Sequence, residues 1–195
     1  MESLFTSDLN INKLRENYLA KKLKENKIES AHGSFEEEFK GIDYYVNGET
    51  VDMKWTDVFR PTYAVEISYF NEYNQQKIGW FMDPEHKTEW ALFIEANKEH
   101  PMIHAFSFKL PELRELIFAN VSYREIAIAH DNLRGNPRLY KYQFPNSKLR
   151  LVKSSQLKEN PINLVIPQDW YHLLPSFADQ SQILGKFSEY EAFIQ

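Results

Sequence analysis

The stretch Gly41–Lys54, Gly-Ile-Asp-Tyr-Tyr-Val-Asn-Gly-Glu-Thr-Val-Asp-Met-Lys, leaves the backbone little choice. Asn47-Gly48 sits between two runs of β-forming residues. A type I′ turn needs positive φ at both of its central residues, and Asn-Gly meets that need at the lowest steric cost. A two-residue turn also fixes the pairing. Val46 should face Glu49, Tyr45 Thr50, Tyr44 Val51, and Asp43 Asp52. Side chains alternate along a strand, so Asp43, Asp52 and Lys54 share one face. Tyr44, Val46, Val51 and Met53 share the other, which is apolar and should meet the core.

Two carboxylates directly opposite each other have Cβ atoms about 4.5–5.5 Å apart and repel. A cation relieves the repulsion. Lys54, two residues on, is a partial answer. A divalent metal is a fuller one, because hard cations such as Mg²⁺ take one or two carboxylates together with substrate phosphates. The alternative is a solvated hairpin edge on which Lys54 neutralises one Asp.

The 195 residues, 43% hydrophobic and 15% aromatic, suffice for one domain with a substantial core. There is no cysteine, which excludes disulfides and thiolate zinc sites and fits a reducing cytoplasm. No apolar run approaches the ~20 residues that span a bilayer. The first residues lack the basic start and apolar stretch of a signal peptide, so the expectation is a cytoplasmic chain without a membrane partner. Net charge is −5 but unevenly placed. Residues 1–99 hold 12 Lys/Arg against 19 Asp/Glu, whereas residues 132–158 hold seven basic side chains and no acidic one. These are Arg134, Arg138, Lys141, Lys148, Arg150, Lys153 and Lys158. Such a segment points to a polyanion, or else to a solvated Lys-rich hairpin.

Along the chain, Thr6 to about Asn26 reads as a helix capped by Ser7 or Asp8, with Leu9, Ile11, Leu14, Tyr18, Leu19 and Leu23 as its buried stripe. Residues 27–40 read as a connector with strand character near its end. After the hairpin, Thr62–Phe70 is a third strand. If it pairs beside the hairpin, Glu66 joins the face of Asp43, Asp52 and Lys54. Asn71–Pro84 has room for a short helix or helical turn. Strands follow at Thr88–Ala96 and Met102–Phe108, then a helix opened by Pro111. Leu139–Phe144 and Leu149–Val152 suggest a basic hairpin, Ile162–Ile166 a strand, Pro167–Leu174 a helical turn, and the tail weak helix. The expected organisation is an α+β core domain over residues 1–125, with a C-terminal extension over 126–195 packed on it. The six histidines are scattered and are read as carrying no zinc hydrolase motif; no Walker-type loop or GxSxG is present.

Gly41-Ile42-Asp43, followed nine residues on by Asp52-Met53-Lys54, resembles the core motif of the PD-(D/E)XK nuclease superfamily. The preceding helix with its candidate Glu16, and the later Gly79-Trp80-Phe81 and Thr88 strand, also look like members from phages and mobile elements. The resemblance covers roughly residues 7–119. Ile42 stands where the name-giving Pro would be.

The resemblance implies a restriction-endonuclease-like mixed sheet flanked by helices, with core order αβββαβ. It implies a metal-dependent DNA endonuclease or exonuclease. Asp43 and Asp52 would hold Mg²⁺, with Mn²⁺ as a substitute and with help from Glu66 or Glu16, and Lys54 would stabilise charge on the phosphate. Arg134, Arg138, Lys141, Lys148 and Arg150 would grip the nucleic-acid backbone. Trp55, Phe59, Tyr73 and Trp80 would either stack on bases or serve the core. The competing reading is a catalytically inactive nuclease-fold module that binds DNA or a partner protein. RNA stays open as a substrate, and so does a homodimer.

Overall fold

Asn47 (φ 49°) and Gly48 (φ 83°) adopt the backbone that the type I′ turn demands. Tyr44 pairs with Val51, Tyr45 with Thr50 and Val46 with Glu49, as the turn arithmetic requires. The ladder stops there. The Asp43 N–H donates to the Val51 carbonyl at 3.0 Å, so Asp43 lies one step out of register and not squarely opposite Asp52.

The computed structural model describes residues 4–38, 40–57, 62–71, 73–154 and 160–195. In chain order the elements are α1 (Leu4–Glu25), β1 (Ser30–His32), α2 (Phe35–Glu38), β2 (Tyr44–Val46), β3 (Glu49–Thr56), β4 (Thr62–Phe70), β5 (Gln76–Ile78), β6 (Trp90–Glu95) and β7 (His104–Lys109). Then come α3 (Leu110–Asn120), α4 (Tyr123–Gly135), β8 (Lys141–Gln143), β9 (Arg150–Lys153), β10 (Ile162–Pro167), a 3-10 helix (Gln168–Leu173), β11 (Ala178–Asp179), α5 (Ser181–Leu184) and α6 (Phe187–Ile194). The result is a mixed α/β chain with two sheets. No helix among the described residues is long and apolar enough to cross a membrane.

The chain divides into two units that do not follow an expected boundary at residue 125, which falls inside α4. One unit takes Met1–Phe59, Thr88–Lys109 and Ser176–Gln195; the other takes Arg60–Lys87 and Leu110–Pro175. The last twenty residues belong to the first unit, to which they contribute β11, α5 and α6.

The first unit holds a six-stranded sheet in the order β1-β2-β3-β6-β7-β11. Its meander is β1-β2-β3, with the extra strand upstream of the hairpin and not downstream as expected. β3 then pairs with β6 in parallel, Asp52 beside Ala91 and Lys54 beside Phe93. A parallel pair requires a crossover of a dozen residues or more. Residues 57–89 supply it, and on the way they give β4 and β5 to the other unit. The apolar face of the hairpin is buried as expected. Tyr44 and Val51 pack with Tyr18, Leu19 and Leu23 of α1, and with Ile94, Ala105, Leu184 and Tyr190. Each fully buried aliphatic side chain of this kind contributes about 1.5–3 kcal/mol. The Tyr18 hydroxyl is satisfied by the Leu184 carbonyl at 2.7 Å. α1 begins at Leu4, so Ser7 and Asp8 lie within it and are not its N-cap.

The second unit holds a five-stranded sheet, β5-β4-β10-β9-β8. β4 is hydrogen-bonded to β5 and β10 and not to the hairpin. The short helix or helical turn expected within Asn71–Pro84 is a turn at Gly79–Asp83, where the Met82 and Asp83 N–H groups donate to the Gly79 carbonyl; ahead of it Asn74, at φ 57°, leads into β5. α4 was not anticipated. Its signals are local: Ser122 and Glu125 form a complete capping box, and Ile126, Ala129 and Leu133 are buried at helical spacing.

A candidate active site at the open edge of the third strand

β3 is eight residues long and β2 three. Beyond Val51, β3 therefore has no partner strand on its β2 side among the described residues. Asp43, just ahead of β2, fills part of the gap: its Oδ2 accepts the Met53 N–H at 2.6 Å. Asp52 is next in line and is only 2% exposed. Its Oδ1 accepts from Lys54 Nζ at 2.6 Å, while Oδ2 is buried with no hydrogen-bond partner among the described residues. The Lys54 side chain is 36% exposed. Burial pushes the Asp52 carboxyl up to about 7; the Lys54 ammonium opposes the rise and the Asp43 charge adds to it.

Across the opening, α1 presents Asn12, Arg15 and Glu16. These line a cleft of about 320 Å³ together with Asp43, Met53, Lys54 and Trp55. The Tyr44 hydroxyl donates to the Glu16 carbonyl at 3.2 Å and pins this turn of α1 to β2. Asp43, Lys54 and Glu16 are thus brought to one cleft, with Asp52 buried beside Lys54. Arg15 was missed by sequence reasoning. Its signal is positional: it adjoins Glu16 and stands three residues after Asn12, hence on the same helix face.

Asp52 Oδ2 and the Asp43 carboxylate are the oxygens here that could hold a hard divalent cation. A buried carboxylate oxygen without a partner, next to a second carboxylate, is what Mg²⁺ uses when water and substrate oxygens complete its shell. Among the described residues no group of three or more His, Asp or Glu side chains is gathered as a metal cage.

The strand pairing that recommended Glu66 is not formed. Glu66 joined the candidates because β4 was expected beside the hairpin, and β4 instead pairs with β10, Glu66 opposite Asn163.

The basic residues separate by partner. Arg134 donates to the Asn160 carbonyl and to Ser68 Oγ, both at 2.8 Å, and lies 4.5 Å from the Phe70 ring centroid. Lys153, 7% exposed, donates to the Leu133 and Asn136 carbonyls at 2.7 and 2.9 Å and closes the C-terminal end of α4. Both cations are engaged inside their own unit, Arg134 among them although it was expected to grip nucleic acid. Lys148 pairs with Asp169 at 2.7 Å on the surface. Arg138 and Lys141 are exposed, and Arg150 is half-buried opposite Gln143. Lys158 and Phe59 lie outside the described residues. Of the aromatics, Trp55 packs 5.1 Å from Tyr190, Trp80 packs edge-on to Phe81, and Tyr73 is exposed.

Ser68 Oγ lies 2.9 Å from His130 Nε2, and His130 Nδ1 lies 3.1 Å from Asp131. These lengths match a nucleophilic-serine relay, but the burial is reversed. Ser68 is 3% exposed and already accepts from Arg134, while the Asp131 side chain is 82% exposed. A relay needs an accessible nucleophile and a shielded carboxylate. The group is a clasp between α4 and β4.

Comparison with protein-family models, with curated proteins and with solved structures gives no match.

Proposed function

We propose that the chain is a metal-dependent nuclease of the PD-(D/E)XK type, acting on DNA, with a restriction-endonuclease-like core in its first unit. The observation that carries this reading is the pairing of a buried, partly orphaned Asp52 with Lys54 at an open strand edge, with Asp43 alongside and a cleft in front. A binding surface has no use for a buried carboxylate whose ionised form is disfavoured; a phosphodiesterase does. Support also comes from the order of elements: a helix carrying Glu16, a three-stranded meander ending in Asp52-Met53-Lys54, and a strand parallel to the last of these.

Asp43 and Asp52 would hold Mg²⁺ or Mn²⁺. When bound, such a cation neutralises charge on the phosphate and acidifies a coordinated water. Lys54 places an ammonium at the cleft, where negative charge develops on the phosphoryl oxygens. Its contact with Asp52 also fixes its direction before substrate arrives. Glu16 supplies a carboxylate from the opposite wall. Arg138, Lys141 and Arg150, with Lys148 once released from Asp169, offer cations to the backbone phosphates, so binding should weaken steeply with salt.

The second reading, an inactive module that binds nucleic acid, is favoured by one observation: Lys54 is already matched by Asp52, and among the described residues no group of three or more His, Asp or Glu side chains is gathered to hold a metal. The two readings separate in one experiment. Plasmid DNA, single-stranded DNA and RNA are incubated with the protein in Mg²⁺, in Mn²⁺ and in EDTA. Cleavage that needs metal, and that Asp52→Asn and Lys54→Ala each reduce at least 100-fold, supports the nuclease. Binding without cleavage in every condition supports the inactive module. Variants that cut like wild type refute the site.

A further inference from the structure

The α1 wall of the cleft carries a group that the proposed chemistry does not use. Arg15 has a side chain only 12% exposed, although it stands beside a solvent-filled cleft. Its Nη1 donates to Asn12 Oδ1 at 3.0 Å and its Nη2 forms an ion pair with Asp57. The guanidinium lies 5.8 Å from the Trp55 ring centroid and bears on the Tyr190 hydroxyl. Its Nε–H is buried and finds no acceptor among the described residues.

A buried donor without a partner calls for an explanation. So does the choice of Arg. Its planar fork matches a phosphate with two parallel hydrogen bonds, which Lys cannot do, and an aromatic face beneath it holds the plane still. Asn12 fixes one end of the fork. Asp57, just beyond the end of β3, is 56% exposed, so its end of the ion pair is open to water and to competition from another anion. A phosphodiester offers two oxygens to such a fork and can compete with a carboxylate whose outer side faces solvent.

We propose that Arg15, steadied by Asn12 and Trp55, is a phosphate-binding position for the nucleotide adjoining the bond that is cut, and that Asp57 occupies this position until substrate arrives. The inference rests on the nuclease reading and names a second contact with the same substrate. It makes Asp57 a competitor of DNA and not a structural partner alone.

The test uses a short fluorescent DNA. Binding is read in an Asp52→Asn background, which cannot cut, and cleavage in an otherwise wild-type one. Arg15→Gln should weaken binding about tenfold and lower the slope of log affinity against log salt by about one, the loss of a single phosphate contact. Asp57→Asn should tighten binding several-fold. That gain should vanish in the Arg15→Gln/Asp57→Asn double variant, because a carboxylate that merely repelled DNA would give the same gain with or without Arg15. A folded Arg15→Gln with unchanged affinity and slope overturns the proposal, and so does a gain that persists in the double variant. If Arg15→Gln does not fold, Arg15→Lys takes its place: it keeps the charge and loses the fork, and an unchanged KM overturns the proposal. Failure of the nuclease reading shows differently, as no cleavage by wild type with either metal, whatever residue 15 is.

Discussion

Replacing Asp52 by Asn should make the metal-free protein more stable at pH 8 than at pH 5, relative to wild type. Burial raises the Asp52 carboxyl from 3.8 to about 7 in the folded chain, while an unfolded chain keeps the ordinary value. Between those two values the unfolded state has released the proton and the folded state still holds it. The unfolded state therefore binds fewer protons, and stability falls as pH rises through that window. Each unit of pKa difference corresponds to 1.36 kcal/mol, so the full span of about 3 units is worth about 4 kcal/mol. Of this, about 2–3 kcal/mol falls between pH 5 and the point near 7 where the effect saturates. Asn is neutral throughout and escapes the penalty.

The pH-independent consequences of the change, among them the loss of a partner for Lys54, cancel when the two pH values are compared. Urea and thermal unfolding of both proteins in EDTA, at pH 5 and pH 8, measure the quantity directly. The variant's advantage should grow by about 2–3 kcal/mol, roughly 5–10 °C in midpoint for a chain of this length. Adding Mg²⁺ at pH 8 should stabilise wild type and leave Asp52→Asn unmoved, because the cation takes the ionised carboxylate and binds the folded state. An advantage equal at both pH values, or larger at pH 5, would show that Asp52 is ionised in the folded protein and would remove the argument from its burial.

Two further outcomes follow from the structure. Lys153→Met should lower stability by about 2 kcal/mol in urea unfolding, since two hydrogen bonds from a charged group to the end of α4 are lost, and it should leave DNA affinity intact; Arg138→Glu with Lys141→Glu should do the reverse, and a gel-shift titration at two salt concentrations separates them. Gly48→Val should cost about 1–2 kcal/mol through backbone strain alone, because Gly48 holds φ 83° and a Cβ there meets nothing within 4 Å; an unchanged midpoint would contradict the turn.

What was legible in the sequence was local. The Asn-Gly turn, the alternation on either side of it and the apolar stripe of α1 each reside within a few neighbouring residues, and the register of Tyr44–Val46 on Glu49–Val51 follows from them. The parallel pairing of β3 with β6 does not, because nothing in either strand names its partner across the intervening residues. The pairing used to place Glu66 failed for the same reason: the next strand in sequence was taken as the next in space, whereas β4 is paired with β10 and β5 in another sheet. β1 escaped notice because Ser30, Ala31 and His32 are all exposed and show no alternation. α4 could have been read from Ser122, Glu125 and its buried positions. In the basic segment, charge was countable but partners were not, and Lys153 and Arg134 serve carbonyl and hydroxyl oxygens inside their own unit.

The candidate site residues were chosen by an argument whose geometry holds only in part, and the reason lies in strand length. Opposed carboxylates were expected to face each other across a ladder. Instead the ladder ends at Tyr44, the Asp43 N–H shifts to the Val51 carbonyl, and the Asp43 side chain turns to the Met53 N–H. An unpaired strand edge exposes its N–H groups and invites pairing with another chain. A carboxylate one residue before a short β2 removes that liability at the point where the edge begins. It also places the carboxylate beside the Asp-Met-Lys run, because its anchor is the backbone of that run's central residue. Asp43 is thereby held relative to Asp52 and Lys54 by β3 itself and not by a face-to-face pair. The two acids stay neighbours with the register broken, so the spacing that singled them out survives the loss of the pairing that was used to explain it.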